Sequence, residues 1–147
     1  MAGSNKAIGG GGFHHVALRV KNFEASIKFY TEVLGMKIVF DGPHPWEPAI
    51  VDHICLLDSG DGNCLEIFTG GKQDPVEFDQ YRAGAYFHIA LRSNNVDAVV
   101  ERARNADAKI LVEPLDIRLE AYNGDAKMGR VAFILGPDGE QIEFFQE

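Results

Sequence analysis

Two stretches of this chain repeat each other at an offset of 73 residues. Phe13-His14-His15-Val16-Ala17-Leu18-Arg19 is answered by Tyr86-Phe87-His88-Ile89-Ala90-Leu91-Arg92, and Lys21-Asn22-Phe23-Glu24-Ala25 by Asn94-Asn95-Val96-Asp97-Ala98. A second pair closes each half, Leu65-Glu66-Ile67-Phe68 and Ile142-Glu143-Phe144-Phe145. Self-similarity at a fixed period restricts the fold to a duplicated unit, since each half must build the same elements in the same order. The 147 residues fit one compact domain made of two such modules, 13–69 and 85–147. Each module has one His near its start and one Glu near its end. Together they offer two imidazoles and two carboxylates to a metal.

Local periodicity says what each module contains. Phe13 to Val20 alternates, with Val16, Leu18 and Val20 on one side and His15, Ala17 and Arg19 on the other, which predicts a half-buried strand. Asn22 stands where an N-cap belongs, Phe23, Ile27, Tyr30 and Leu34 recur at helical spacing, and Gly35 suits a left-handed C-cap. Met36 to Phe40 reads as a strand and the Pro43-to-Pro48 stretch, with His44 and Trp46, as a loop. Asp52 to Leu57 and Asn63 to Thr69 read as two more strands around the Ser59-Gly60-Asp61-Gly62 turn. Residues 70–84 connect the halves. The order then repeats: a strand over Tyr86 to Arg92 carrying His88, a helix capped by Asn95 with Val96, Val99, Val100 and Ala103 inward, and a strand over Lys109 to Val112. Glu143 lies 77 residues after Glu66 rather than 73, so the second half holds about four extra residues. The Pro114-to-Lys127 segment is expected to spend them on a longer, mobile loop. Arg130 to Leu135 and Glu140 to Gln146 close as a hairpin.

Composition removes whole classes of function. A net charge of −8 argues against nucleic acid, because a phosphate-binding surface needs clustered Lys and Arg. No apolar run approaches the length of a membrane span and no secretory leader is recognisable, so a cytoplasmic protein with no membrane partner is expected. Residues 1–12, with four consecutive Gly, read as a flexible leader outside the fold. Cys55 and Cys64 lack the Cys-x-x-Cys spacing of thiolate metal sites and are expected to be reduced thiols in strands, a disulfide between neighbouring strands being the alternative.

Period-two alternation also fixes sides. Val16, Leu18, Leu65, Ile67, Ile89, Leu91, Ile142 and Phe144 form the set expected to pack under the two helices. His15, Glu66, His88 and Glu143 have the opposite parity and are expected on the helix-free face. One His beside an apolar strand is usually a packed core residue, and one Glu at a strand end is usually solvated. Four at repeat-equivalent positions call for a common cause. A carboxylate pair drawn together without a cation is costly, so metal binding is the favoured account.

These residues and their surroundings carry a resemblance. His15-Val16-Ala17-Leu18-Arg19-Val20, Phe29-Tyr30-Thr31-Glu32-Val33-Leu34-Gly35-Met36-Lys37, Phe87-His88-Ile89-Ala90 and Gly136-Pro137-Asp138-Gly139-Glu140-Gln141-Ile142-Glu143 are similar to the vicinal oxygen chelate superfamily, and within it resemble glyoxalase I. The resemblance runs from about Phe13 to the end of the chain. It implies an α+β fold of two tandem βαβββ modules, forming a curved eight-stranded mixed sheet around a metal-binding cleft. It further implies a homodimer and one divalent metal held by His15, Glu66, His88 and Glu143, each subunit giving half the ligands. The four-ligand set resembles the isomerases and epimerases rather than the dioxygenases and thiol-transferring resistance proteins, which use two His and one Glu.

Two imidazoles and two carboxylates balance a divalent cation, and N/O donors suit nickel, zinc, cobalt, iron or manganese. By resemblance the reaction is isomerisation of a 2-oxoaldehyde–thiol hemithioacetal to a 2-hydroxyacyl thioester through an enediolate, with Glu143 the first candidate base and Glu66 the second. Arg19, on the face of His15 and about 13 Å along the strand, matches an arginine that contacts the glutathione carboxylate, and reads equally as an exposed strand-end charge. Arg92, its repeat equivalent, has no such family role. The asparagine expected shortly after the first Glu ligand is absent, Gly70 standing four residues past Glu66, which leaves glutathione or another thiol as the adduct. His14, His44 and His53 lack repeat partners and are assigned to surface or loop contacts; Trp46 lines the pocket mouth or packs. The alternatives are an epimerase or other proton-transfer enzyme on another vicinal-oxygen substrate, and a metal-free, resistance-type small-molecule binder.

Overall fold

The computed structural model describes residues 7, 13–43, 52–70, 83, 84 and 86–147. Apart from residue 7, the expected leader lies outside the described residues, as do His44, Trp46 and most of the connector. The chain divides into two compact units, 1–31 with 35–74, and 32–34 with 75–147.

The first unit holds β1 (His15–Arg19), α1 (Phe23–Lys28), β2 (Lys37–Pro43), β3 (His53–Asp58) and β4 (Cys64–Thr69), in sheet order β1-β4-β3-β2. Asn22 caps α1 as its position predicts, its side-chain oxygen accepting from the Ala25 N–H at 3.0 Å. The expected helix to Leu34 is not α throughout: after Lys28 the chain widens into a π segment, Phe29–Val33. Gly35, at φ 74°, then reverses the chain, and the Met36 N–H donates to the Tyr30 carbonyl. The β3–β4 turn is set by Asp58, whose carboxylate accepts from the Gly60 and Gly62 N–H groups at 2.8 and 3.0 Å. Those two bonds hold its pKa below the ordinary carboxylate value. Val20, Tyr30, Met36, Cys55, Leu57, Leu65 and Ile67 are the buried core of this unit.

The second unit holds β5 (Ile89–Arg92), α2 (Val96–Asn105), β6 (Ile110–Glu120), β7 (Ala126–Leu135) and β8 (Gln141–Gln146), in sheet order β5-β8-β7-β6. The α+β class with two βαβββ modules is what forms, its eight strands hydrogen-bonded as two four-stranded mixed sheets. Asn95 caps α2 by accepting from the Ala98 N–H, and Val96, Val100 and Ala103 are its buried side. Arg130 on β7 ties the helix to the sheet, with two 2.7 Å bonds to the Asp97 carboxylate and one of 2.9 Å to Asp116. Two expectations need correction. The strand expected over Tyr86 to Arg92 begins only at Ile89, so His88 lies just before it. The long loop expected from Pro114 to Lys127 is a hairpin instead, in which β6 and β7 pair from Leu115–Val131 out to Glu120–Ala126. Pro114 had argued for a loop because proline cannot donate to a ladder. It sits at a register shift between Val112 and Leu115 on the edge strand, where no ladder N–H is required.

Cys55 and Cys64 are free thiols, three residue pairs apart along the β3–β4 ladder, roughly 10 Å and out of disulfide reach. Burial, and then the nearby Asp41 charge, push the Cys55 thiol up to about 11 from an ordinary 9.0. At pH 8 its thiolate fraction is accordingly about 100-fold below that of a free thiol, and an aromatic disulfide reagent is expected to reach it only on unfolding. The folded state keeps this proton where the unfolded state has released it. The corresponding stability is complete below pH 9.0 and is lost as the pH climbs toward 11, which denaturation midpoints across that window will show for the wild type and much less for Cys55→Ala.

Candidate active site

In the first unit β1 and β4 run parallel, with Val16 opposite Leu65, Ala17 opposite Glu66 and Leu18 opposite Ile67. Directly paired residues project to the same face. Leu65 and Ile67 are buried toward α1, which packs on β4, so Glu66 faces the other way together with His15 and Ala17. His15 Nε2 lies 3.8 Å from Glu66 Oε2, the side chains 41% and 21% exposed. His14 takes part as well: its Nδ1 is 2.8 Å from His15 Nδ1, so one ring nitrogen donates to the other. That contact occupies Nδ1 of His15 and turns Nε2 toward Glu66.

The second unit repeats the arrangement more tightly. Ala90 stands opposite Glu143 and Ile89 opposite Ile142. His88, although outside the strand, brings Nε2 to 3.0 Å from Glu143 Oε2, with exposures of 30% and 13%. Phe87 and Phe133 present their rings edge-on to the imidazole at 5.4 and 5.3 Å between centroids. His88 Nδ1 is buried with no hydrogen-bond partner among the described residues.

Within each half one imidazole nitrogen faces one carboxylate oxygen, at 3.8 Å in the first and 3.0 Å in the second. Ligands at 2.0–2.2 Å on adjacent corners of an ion stand about 3 Å apart. The His88–Glu143 pair already has that separation. His15 and Glu66 stand farther apart, at 3.8 Å, on partly exposed side chains. With both carboxylates ionised and both imidazoles neutral, the donor set balances a divalent cation. The residues fit such an ion. Among the described residues no three His, Cys, Asp or Glu side chains cluster as a metal site; each unit by itself brings together one His–Glu pair.

Arg19 is no loose strand-end charge. It is half-buried, donates to the Gly70 carbonyl and lays its guanidinium over the Phe68 ring, 4.7 Å from the centroid. Gly70 itself explains the missing asparagine. Its φ is 104°, and a Cβ there would stand 2.5 Å from the Asp52 backbone nitrogen, so no side chain fits. His53, expected in a surface or loop contact, lies at the start of β3, within the strand expected over Asp52 to Leu57. It is hydrogen-bonded to the Asp41 carboxylate and stacked on Phe23 at 4.0 Å, pinning the start of α1 to the β2–β3 edge. The ring neighbours of the two imidazoles escaped the sequence reading. His14 has no histidine partner in the repeat, but Phe87 stands 73 residues on, so the offset puts a ring beside each imidazole; Phe133 follows from counting back across the Gly136-to-Gly139 turn to its partner Glu143.

A duplicated βαβββ unit with a His–Glu pair at equivalent positions in each copy places this chain in a known class. It belongs to the Glyoxalase/Bleomycin resistance protein/Dioxygenase superfamily, whose sequence profile matches residues 12–144. Among its relatives, the uncharacterized protein YwbC of Bacillus subtilis (strain 168) is 32% identical, over 90% of this chain and 94% of its own. The lactoylglutathione lyase of Neisseria meningitidis serogroup A is 30% identical, over 90% and 88%. Of solved structures, the trypanothione-dependent glyoxalase I of Leishmania major superposes with a TM-score of 0.67 at 29% identity, covering 92% of this chain and 86% of that one. No helix among the described residues is long and apolar enough to cross a membrane.

Proposed function

We propose that this protein is a metal-dependent glyoxalase I-like lyase that isomerises the hemithioacetal of a 2-oxoaldehyde and a thiol to a 2-hydroxyacyl thioester. The observation that carries the reading is the His–Glu pair found at repeat-equivalent positions of both units. Names of relatives near 30% identity support the same reaction class. His15, Glu66, His88 and Glu143 would hold one divalent ion of nickel, zinc, cobalt, iron or manganese. Such an ion, when bound, supplies Lewis-acid polarisation of two neighbouring substrate oxygens.

The chain's own groups move the proton. Glu143 takes it from the carbon beside the carbonyl and returns it to the adjacent carbon, so the hydrogen shifts by one position with no net oxidation. Glu66 serves the opposite face. Glu143 is the first choice because it is the more sheltered carboxylate, at 13% against 21% exposure, and water competes with it less. The Phe87 and Phe133 rings hold the neighbouring imidazole in one orientation and keep solvent from its flank. Arg19 is the candidate contact for a carboxylate of the thiol. Because Gly70 offers no amide beside it, thiols other than glutathione are tested on equal terms.

A two-ligand half-site is incomplete alone, and a homodimer is the assembly we propose, His15 and Glu66 of one copy meeting His88 and Glu143 of the other. Metal analysis of the purified protein, followed by an ultraviolet thioester assay with methylglyoxal and a panel of thiols, tests the reaction. A chelator is expected to abolish turnover and one of the five ions to restore it. Chelator-resistant turnover, or no thioester with any thiol, removes the proposal.

A further inference from the structure

At the repeat position of Arg19, Phe68 and Gly70 the second unit has Arg92, Phe145 and Glu147, and the two places differ. In the first unit the guanidinium is tied to the Gly70 carbonyl. Arg92 is exposed, has no equivalent bond among the described residues, and borders an open pocket of about 220 Å³ lined by Ala90, Leu91, Arg92, Lys127, Phe145 and Glu147. We propose that this pocket binds the carboxylate of a small ligand, with Arg92 and Lys127 as the cationic contacts and the Phe145 ring as the floor on which the ligand's flat or apolar body rests.

Three observations support it. The floor is fixed: the Phe145 ring lies directly on Gly129, where a Cβ would stand 2.8 Å from the ring. Both cations adjoin that ring, since Arg92 pairs with Phe145 in the β5–β8 register and Lys127 Nζ is 5.4 Å from its centroid. The pocket also already stabilises a carboxylate. Glu147 lies 2.6 Å from Lys127 Nζ, and Lys127, assisted by the Arg92 charge, holds its pKa below the ordinary value. Glu147 is therefore the stand-in for the ligand's acid group and its competitor. A two-cation pocket on a chain of net charge −8 is a local reversal of sign, and it draws small anions rather than cations.

Phe145 lies two residues beyond Glu143 on the same face, about 7 Å along the strand. A carboxylate anchored here brings atoms that distance away to Glu143. This last link rests on the proposed lyase reading; the binding does not, and it needs no metal.

The test is an amide NMR titration of the full-length protein with benzoate, without added metal, beside benzamide as the uncharged control. Benzoate is expected to shift amides near residues 90–92, 127–129 and 145–147, with benzamide at least about fivefold weaker. Arg92→Gln should weaken benzoate by about fivefold or more, and Glu147→Gln should tighten it by a similar factor by removing the competitor. Equal binding of benzamide, an unchanged Arg92→Gln affinity, or shifts confined to other residues would overturn the assignment. Benzoate binding together with a failed thioester assay would retain this pocket and discard the lyase.

Discussion

Glu143→Gln lowers turnover by about 10²- to 10⁴-fold, the range over which a positioned general base contributes. The amide keeps the shape of the carboxylate and an oxygen that can still ligate, but has no basicity to offer the substrate carbon. The expected pattern is a large fall in kcat with a modest change in KM, because the lost interaction is made only as the proton moves. Metal content measured on the same sample separates the base from the ligand. Bound metal with low turnover is the expected result, whereas bound metal with full turnover takes the proton-transfer role away from Glu143. Glu66→Gln is expected to cost less, since its carboxylate is more exposed and stands 3.8 Å rather than 3.0 Å from its histidine.

Mixing two inactive variants restores activity. If each site draws His15 and Glu66 from one copy and His88 and Glu143 from another, Glu66→Ala and Glu143→Ala homodimers are both silent. A mixed dimer then has one site with both lesions and one with none. Random reassortment makes half the dimers mixed, so about a quarter of wild-type turnover should return after joint refolding. A site built within one chain would give no recovery at any mixing ratio. Size-exclusion measurements on each variant establish that both remain dimeric, so that silence is not taken for failure to assemble.

Much of this arrangement was legible in residues alone, for identifiable reasons. Strand parity has period two, so the alternation around Val16 and Leu18 placed His15 and Glu66 on one face before any register was known, and the pairing of Ala17 with Glu66 agrees. Asn22 and Asn95 marked helix starts because a side-chain oxygen there meets an orphan N–H. Other features depend on context that no short window contains. Pro114 signals a break in isolation, yet a bulge on an edge strand accommodates it. The π segment after Lys28 keeps a helical apolar pattern and differs only in its bonding. His53 carries no mark of its contacts, since Asp41 and Phe23 reach it through antiparallel pairing and helix packing.

Gly70 lets the main chain decide what can stand beside Arg19. Every side chain larger than hydrogen at this point runs into the Asp52 backbone, so no substitution of Gly70 itself can install an amide beside Arg19. A laboratory selection for a new polar contact beside Arg19 would have to move the strand that begins near Asp52 first, or build the contact at another position. Evolvability at this end of the site is limited by geometry of the peptide rather than by the chemistry of available residues.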